Sequence, residues 1–207
     1  MPFGEDPCAI PLWINGRACL RLTPALVDVR NPLAGTVLRK VPLCGTSDVE
    51  EAILSAQTVM PAWVCLGEST RRQLLSKLGD ALEALAEHFM KLVAEEAGVS
   101  SERAGSVVEA VVEHLRSPDV HSKAGVVAVA GESASGIAQL AGLAVAVLAA
   151  GGAVIIYPPL QAPSALLALA ELSGRCGFPA GVLNVVYPDS RVLAEMHGRP
   201  GLTILSC

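Results

Sequence analysis

The stretch from Gly136 to Pro163, GIAQLAGLAVAVLAAGGAVIIYPPLQAP, constrains the fold most, because it contains no charged side chain. From Ile137 to Ile156 only Gln139 is strongly polar, and about twenty apolar residues suffice to cross a bilayer. However, Gly151-Gly152 splits the run, and the β-branched residues 154–156 favour a strand. The flanks also lack the Lys/Arg clusters and the aromatic belt of a bilayer interface. We therefore predict a buried helix, a glycine turn and a buried strand, with no membrane partner.

Similar segments occur on both sides of this stretch. Residues 124–131 (AGVVAVAG) and 181–188 (GVLNVVYP) are apolar at nearly every position, which is typical of strands buried on both faces. Residues 162–177 carry a helical pattern instead. Because strands and helices of this length alternate, we predict an α/β fold in which residues 47–207 form a parallel sheet with flanking helices.

Residues 1–46 are predicted to form strands and hairpins that pack on the main domain. Asn15-Gly16 lies between two apolar-rich arms, and this dipeptide favours a hairpin because both residues tolerate positive φ. A second strand pair follows, with breaks at Asn31-Pro32 and Ala34-Gly35.

Three helical segments are predicted between these strands and the sheet: residues 47–66, 69–98 and 101–117. Ser47 and Glu50 have the spacing of a capping box at the start of the first, and Pro61 is expected to end or kink it. The second is an amphipathic helix or helix pair that Gly98 caps. The third ends before Pro118.

Composition and charge exclude several classes of partner. The net charge is −5 and the Lys and Arg residues are scattered, so nucleic acid is not an expected partner. The six cysteines are widely spaced, without a C-x-x-C pair or a Cys/His cluster, which predicts free thiols and no metal site. The N-terminus lacks the basic and apolar regions of a secretory signal, so we expect a cytoplasmic protein.

A family resemblance rests on motifs that occur in order: WINGRA, NPLAGTV, PAW, RRQLLSKLGDALE, GVVAVAG, AAGGAVIIYPP and GFPAGVLNVVYPD. In this order they resemble the aldehyde dehydrogenase superfamily, from about Leu12 onward and specifically in its N-terminal, cofactor-binding half. The resemblance implies an incomplete Rossmann-type parallel sheet. The chain is similar in particular to the catalytically silent second domain of the two-domain, family-16 type, or to a shortened product of such a protein.

The resemblance also implies where functional side chains lie, and Ala134 is one such position. After the GVV strand the family has a P-W-N-F-P loop, whose Asn donates a hydrogen bond to the oxyanion that develops in the transition state. The matching stretch here is GESAS, with Ala134 at the Asn position. A methyl group cannot donate a hydrogen bond, and Ser133 or Ser135 is offset by one residue. We therefore expect this contact to be lost.

The family's K-P-S-E segment, whose Lys and Glu bind the adenosine ribose of the nicotinamide cofactor, matches residues 157–160. Tyr157 stands at the Lys position, Pro159 at the Ser position and Leu160 at the Glu position. Charge-assisted hydrogen bonds contribute roughly 1.5–3 kcal/mol each, so their loss predicts much weaker binding. Pro188 stands where the family usually has Gly, which fixes φ and removes an N–H. We therefore expect no bound cofactor.

The resemblance places the family's nucleophilic Cys and its general base Glu beyond the last residue, Cys207. Cys207 itself has no assigned partner. Cys176, beside Arg175, is expected at a helix C-terminus, where the helix dipole raises the pKa of a thiol. We therefore predict no catalytic residue in the chain, and no enzyme activity from the chain on its own.

The remaining titratable residues do not suggest a catalytic group. No histidine has a Ser, Cys or carboxylate at the spacing of a triad. The four histidines are His88, His114, His121 and His197. In Glu50-Glu51 and Glu95-Glu96 the adjacent side chains point about 100° apart on a helix, so both pairs are predicted to lie on solvated faces.

Two functional hypotheses follow. The first is a degenerate, non-catalytic domain that acts as a structural or protein-interaction module, because polar side chains are lost from a preserved scaffold. The alternative is a truncated part of an NAD(P)-dependent aldehyde dehydrogenase, which oxidises aldehydes to acids once the catalytic half completes it. Either way, we expect a protein partner, the missing C-terminal half or self-association, because a sheet that ends after its third cofactor-half strand exposes apolar surface.

Overall fold

The computed structural model describes residues 7–23, 25–120 and 124–206, and confirms the predicted α/β class. The strands of this part of the chain are β1 (Leu12–Ile14), β2 (Arg17–Cys19), β3 (Leu26–Arg30), β4 (Val37–Pro42), β5 (Val126–Ala130), β6 (Ala153–Tyr157), β7 (Leu183–Val185) and β8 (Leu202–Ser206). Its α-helices are α1 (Thr46–Cys65), α2 (Glu68–Ala84), α3 (Ala86–Ala97), α4 (Ser101–Arg116), α5 (Ile137–Ala149), α6 (Ser164–Cys176) and α7 (Ser190–Met196). The expectations for His121 and Cys207 concern positions outside the described residues.

Six strands form the main sheet, in the order β2-β1-β7-β6-β5-β8. Strands β7, β6, β5 and β8 run parallel to one another. Every side chain of β5 and β6 is buried, and both α1 and α5 pack against these two strands. Burial on both faces explains why the sequence shows them as continuous apolar runs without alternation.

Strand β8 and helix α7 are elements that the sequence analysis did not predict. Strand β8 pairs with β5 along its full length, from Leu202 opposite Val126 to Ser206 opposite Ala130. The expectation that the parallel sheet ends after its third strand is therefore wrong. Because β8 is only partly buried, its residues lack the continuous apolar pattern that marks β5 and β6.

The N-terminal hairpin forms as predicted, with β1 and β2 antiparallel around Asn15 (φ 53°) and Gly16 (φ 70°). Strand β1 also joins the main sheet, since Trp13 pairs with Val185 of β7. The buried Asn184 holds the turn, because its Oδ1 accepts a hydrogen bond from the Asn15 N–H at 3.0 Å. Strands β3 and β4 form a separate antiparallel pair, as expected. The division into residues 1–46 and 47–207 stays a prediction.

The start of α1 differs from the sequence prediction. Gly45 is the N-cap, and its backbone N–H donates to Asp48 Oδ2 at 3.0 Å. The predicted capping box of Ser47 and Glu50 is therefore wrong. The helix begins before Ser47, and Glu50 instead forms an ion pair with Arg199 at 2.8 Å.

The later helices end where the sequence predicts, but α1 does not end at Pro61. Pro61 lies inside α1, which continues to Cys65, so it does not end the helix. The long amphipathic segment is a helix pair that breaks at Leu85, and Gly98 caps it in the left-handed conformation (φ 64°). Helix α4 ends before Pro118, as predicted.

The uncharged stretch folds as a buried helix (α5), a glycine turn and a buried strand (β6), as the sequence predicts. Trp63 of α1 donates a hydrogen bond from Nε1 to the carbonyl oxygen of Leu148, at 3.0 Å, and its ring stacks on Phe178. These contacts fix the end of α5 against α1. Over residues 7–23, 25–120 and 124–206, no helix combines the length and the apolar character that crossing a membrane requires.

Candidate functional site

The carboxyl ends of the four parallel strands lie along one edge of the sheet. From β5 the chain passes to β6 and then to β7 on one side, and it returns to β8 on the other side of β5. The strand order therefore reverses between β5 and β8. In open parallel sheets such a reversal leaves a crevice at the carboxyl ends, where ligands bind. This edge is the candidate site.

The loop after β5 contains the predicted oxyanion position. Ala134 is half-buried and begins a 3-10 turn that leads into α5. On either side of it, Ser133 and Ser135 are exposed, with their hydroxyl oxygens 2.8 Å apart. Ser133 Oγ also accepts a hydrogen bond from the Ser135 N–H at 3.2 Å. The loop thus presents two paired hydroxyl groups around a methyl group.

Gly131 allows the loops after β5 and β6 to approach each other closely. Its N–H donates to the carbonyl oxygen of Tyr157 at 3.0 Å. A Cβ at this position would lie 2.9 Å from Leu140 Cδ2 and 3.2 Å from Pro159 Cδ. The two loops therefore pack as one unit, with no room for a side chain between them.

The loop after β6 carries the three substituted cofactor positions. Tyr157 is 4% exposed, and its hydroxyl has no hydrogen-bond partner among the described residues. Burial raises the pKa of this phenol; nearby Cys44 raises it further and Arg199 lowers it. Pro159 is buried, and Leu160 packs partly against the core. Tyr157 to Leu160 therefore present no charged group to the crevice.

The segment after β7 is fixed by the N-terminal region. Tyr187 is fully buried, and its hydroxyl donates to the carbonyl oxygen of Pro11 at 3.3 Å. The N–H of Cys44 donates to the Tyr187 carbonyl at 2.9 Å, and Cys44 forms a parallel bridge with Pro188. Burial raises the pKa of the Cys44 thiol to about 12. Pro188 thus lies in a strand-like contact shortly after the carboxyl end of β7.

Glu96 is a buried polar residue behind the β6–α6 loop, and the prediction that it lies on a solvated face is wrong. It is 2% exposed and accepts hydrogen bonds from the N–H of Ser164 at 3.0 Å and from the Ser164 hydroxyl at 2.5 Å. Arg39 Nε lies 2.6 Å from Glu96 Oε1 as an ion pair, although its N–H does not point at the oxygen. Burial raises the pKa of Glu96, against the opposing effects of Ser164 and Arg39.

The other candidate groups do not converge on the crevice. Cys176 is the buried last residue of α6, and burial rather than a helix dipole is the main cause of its raised pKa. His197 Nδ1 lies 2.9 Å from the carbonyl oxygen of Leu193, and His114 packs over Gly142. Across the described ranges, no three His, Cys, Asp or Glu side chains are grouped so that they could hold a metal ion.

Comparison with known proteins identifies the family in which this fold occurs. The model of the aldehyde dehydrogenase family matches residues 22–123 and 124–207. Malonate-semialdehyde dehydrogenase of Pseudomonas aeruginosa is 27% identical over 86% of this chain and 40% of its own length. Glutarate-semialdehyde dehydrogenase of Pseudomonas putida is 29% identical over 84% of this chain and 41% of its own. Aldehyde dehydrogenase C of Pseudomonas syringae, a mutant solved with NAD+ and octanal, has a TM-score of 0.86 at 22% identity over 94% of this chain and 45% of that one.

These findings correct one prediction from the sequence. The expectation that the chain is no enzyme on its own is contradicted, because its curated relatives are dehydrogenases. That expectation rested on the family's nucleophilic Cys and general base Glu lying beyond Cys207, whereas the strands and helices that the chain does contain match the family. The chain spans about 40% of the length of the curated relatives that it matches. It belongs to the aldehyde dehydrogenase family.

Proposed function

We propose that this chain supplies the dinucleotide-binding sheet of an NAD(P)-dependent dehydrogenase that oxidises an aldehyde to a carboxylic acid. The observation that carries the proposal is the reversal of strand order between β5 and β8, with the carboxyl ends of both strands at one edge. This is where parallel α/β sheets bind dinucleotides. Aldehyde dehydrogenase C, which shares the fold, was solved with NAD+.

The residues of the crevice fit a dinucleotide through backbone shape and hydroxyl groups. Ser133 and Ser135 offer hydroxyls at the start of α5, and Leu160 offers an apolar surface. Tyr157 cannot bind the adenosine ribose as a lysine would, because its hydroxyl is buried away from solvent. We infer that binding depends on loop geometry more than on charge, and is weaker than in a site with charged partners. When bound, the dinucleotide supplies the hydride acceptor.

The same proposal assigns the remaining chemistry to the portion of the relatives that this chain does not match. Oxidation of an aldehyde by a dinucleotide, after a thiol has added to the carbonyl carbon, needs a thiol that ionises readily. Cys44 and Cys176 are buried with raised pKa values, which disfavours the thiolate. With Ala134 in the loop after β5, another group has to stabilise the oxyanion. The partner of this chain is therefore proposed to be a C-terminal catalytic portion.

A complementation experiment tests the proposal. The chain is combined with the C-terminal portion of the Pseudomonas aeruginosa relative, by fusion or co-expression, and reduction of NAD+ and NADP+ is followed with a panel of aldehydes. We expect turnover that the C-terminal portion alone does not give. A folded complex without dinucleotide reduction would contradict the proposal.

Two matched glycine variants test whether the dinucleotide binds in the crevice. In Gly131→Ala the new Cβ meets Leu140 and Pro159, whereas in Gly125→Ala it meets nothing within 4 Å. We expect the first variant to raise the KM for the dinucleotide and the second to leave it unchanged. Equal effects of both changes would argue against binding at this edge.

A further inference from the structure

We propose that Glu96 is a positioning residue that holds the β6–α6 loop in the shape needed for dinucleotide binding. The inference rests on the proposed function, and it concerns a residue that lies outside the crevice. Both of its carboxylate oxygens are engaged by Ser164, the first residue of α6: Oε2 by the N–H at 3.0 Å and Oε1 by the hydroxyl at 2.5 Å.

The surroundings of Glu96 show a carboxylate built into the fold. Its side chain is 1% exposed, and Arg39 of β4 supplies the counter-charge at 2.6 Å. The free N–H groups at the first turn of α6 also favour a negative charge. A buried carboxylate without such partners is strongly destabilising. The contacts therefore tie three separate elements, β4, α3 and α6, to one point directly behind the loop.

The loop is short and stiff, so a restraint at its end acts on its whole length. The rings of Pro158, Pro159 and Pro163 each restrict φ to a narrow range, and φ of Pro163 is −84°. The N–H of Ala162 donates to the Pro159 carbonyl oxygen at 3.0 Å. At the other end, the Gly131 N–H donates to the Tyr157 carbonyl. Glu96 thus holds the far end of a segment whose near end is already fixed.

This restraint matters more here than in a site with charged side chains. Leu160 and Pro159 offer the dinucleotide no charge-assisted hydrogen bond, so affinity depends on the loop being ordered before the ligand arrives. Loss of the Glu96 contact should therefore weaken dinucleotide binding, even though Glu96 does not touch the ligand.

Two serines of α6 provide a matched test. Ser164 and Ser173 are both buried, but Ser173 donates to the Ala170 carbonyl of its own helix at 2.7 Å and does not contact Glu96. We compare Ser164→Ala with Ser173→Ala by amide hydrogen exchange of the whole chain and by titration with NAD+ and NADP+. Ser164→Ala should speed exchange of the amides at positions 162 and 164, and raise the Kd, by about tenfold each. Ser173→Ala should leave both within about twofold of the unmodified chain.

The readouts separate this proposal from the proposed function. If exchange at positions 162 and 164 is unchanged in Ser164→Ala, or changes equally in Ser173→Ala, Glu96 does not position the loop. If exchange responds as expected but the unmodified chain binds no dinucleotide, the loop restraint stands and the proposed function fails. Glu96→Gln, which retains only one acceptor oxygen, should also speed exchange at these positions, and unchanged exchange there would overturn the proposal.

Discussion

The guanidinium of Arg71 donates a hydrogen bond from Nε to the carbonyl oxygen of Ala149, at 3.2 Å. Its Nη1 also donates to the carbonyl oxygen of Val64, at 3.1 Å. Arg71 is 8% exposed, so a buried cation on α2 satisfies carbonyl groups at the C-terminal ends of both α5 and α1. Positive charge is favourable at helix C-termini, and here it joins the two helices that pack on β5 and β6.

Replacing Arg71 tests the strength of this junction. In Arg71→Met the carbonyl oxygen of Ala149 loses a buried donor, whereas that of Val64 keeps the Gly67 N–H at 3.1 Å, so we expect the free energy of unfolding to fall by about 1–3 kcal/mol. The neighbouring variant Arg72→Met removes only an exposed ion pair with Glu68, and should cost less than about 0.5 kcal/mol. Chemical unfolding of both variants measures the difference. Equal losses would show that Arg71 is not a structural link.

The periodicity of the helices indicates that Arg71 and Glu96 are buried. Arg71 stands four residues before Leu75 and seven before Leu78, on the buried stripe of α2. Glu96 likewise lies seven residues after Phe89 and three after Val93 on α3. A charged residue at a core position of a helix indicates a buried partner. Which partner it meets depends on distant segments, and the helix pattern does not contain that information.

Cysteine reactivity follows from the burial of the thiols. Cys8 and Cys65 are exposed, whereas Cys19, Cys44 and Cys176 are buried. The thiolate is the reactive form, and burial raises the pKa of Cys44 to about 12. At about pH 8, iodoacetamide should therefore modify Cys8 and Cys65 in the folded chain, and the buried thiols only after denaturation. Peptide mass mapping checks this, and modification of Cys44 as fast as Cys65 would contradict it.

The pH dependence of stability should report the burial of Glu96. Burial raises its pKa above the ordinary value of 4.5, although Ser164 and Arg39 oppose the shift and Glu95 adds to it. The folded state therefore binds this proton more tightly than the unfolded state does. Glu96 then contributes most to stability below pH 4.5, and that contribution is lost as the pH rises through its folded pKa.

Thermal unfolding of the unmodified chain and of Glu96→Gln over a pH series measures this effect, since glutamine does not titrate. The Tm of the unmodified chain relative to the variant should fall as the pH rises from about 4 to about 7. A relative Tm that increases over this range would mean that the ion pair with Arg39 lowers the pKa of Glu96 by more than burial raises it.

The sequence was sufficient to predict the features of the fold that depend on the pattern of neighbouring residues. The Asn15-Gly16 hairpin, the buried strands β5 and β6, and the cap at Gly98 were all predicted from neighbouring residues. The main failure in the fold was β8, which is defined by its pairing with β5 and lacks a pattern of its own.

The candidate site was less predictable than the fold. The resemblance gave the positions of Ala134 and Tyr157, but not the inward burial of the Tyr157 hydroxyl or the pairing of Ser133 with Ser135. The depth of a side chain at the end of a strand depends on what covers it. Tyr157 is near enough to Cys44 and Arg199, which are distant in sequence, for both to shift its pKa.

The most direct measurement is a titration of the isotope-labelled chain with NAD+ and NADP+, followed by the backbone amide NMR spectrum. We expect shifts that saturate with dinucleotide concentration and are centred on residues 131–136, with smaller shifts at positions 160–162. Absence of shifts at millimolar dinucleotide in a folded chain, or shifts confined to a surface away from the carboxyl ends of β5 and β6, would contradict the account.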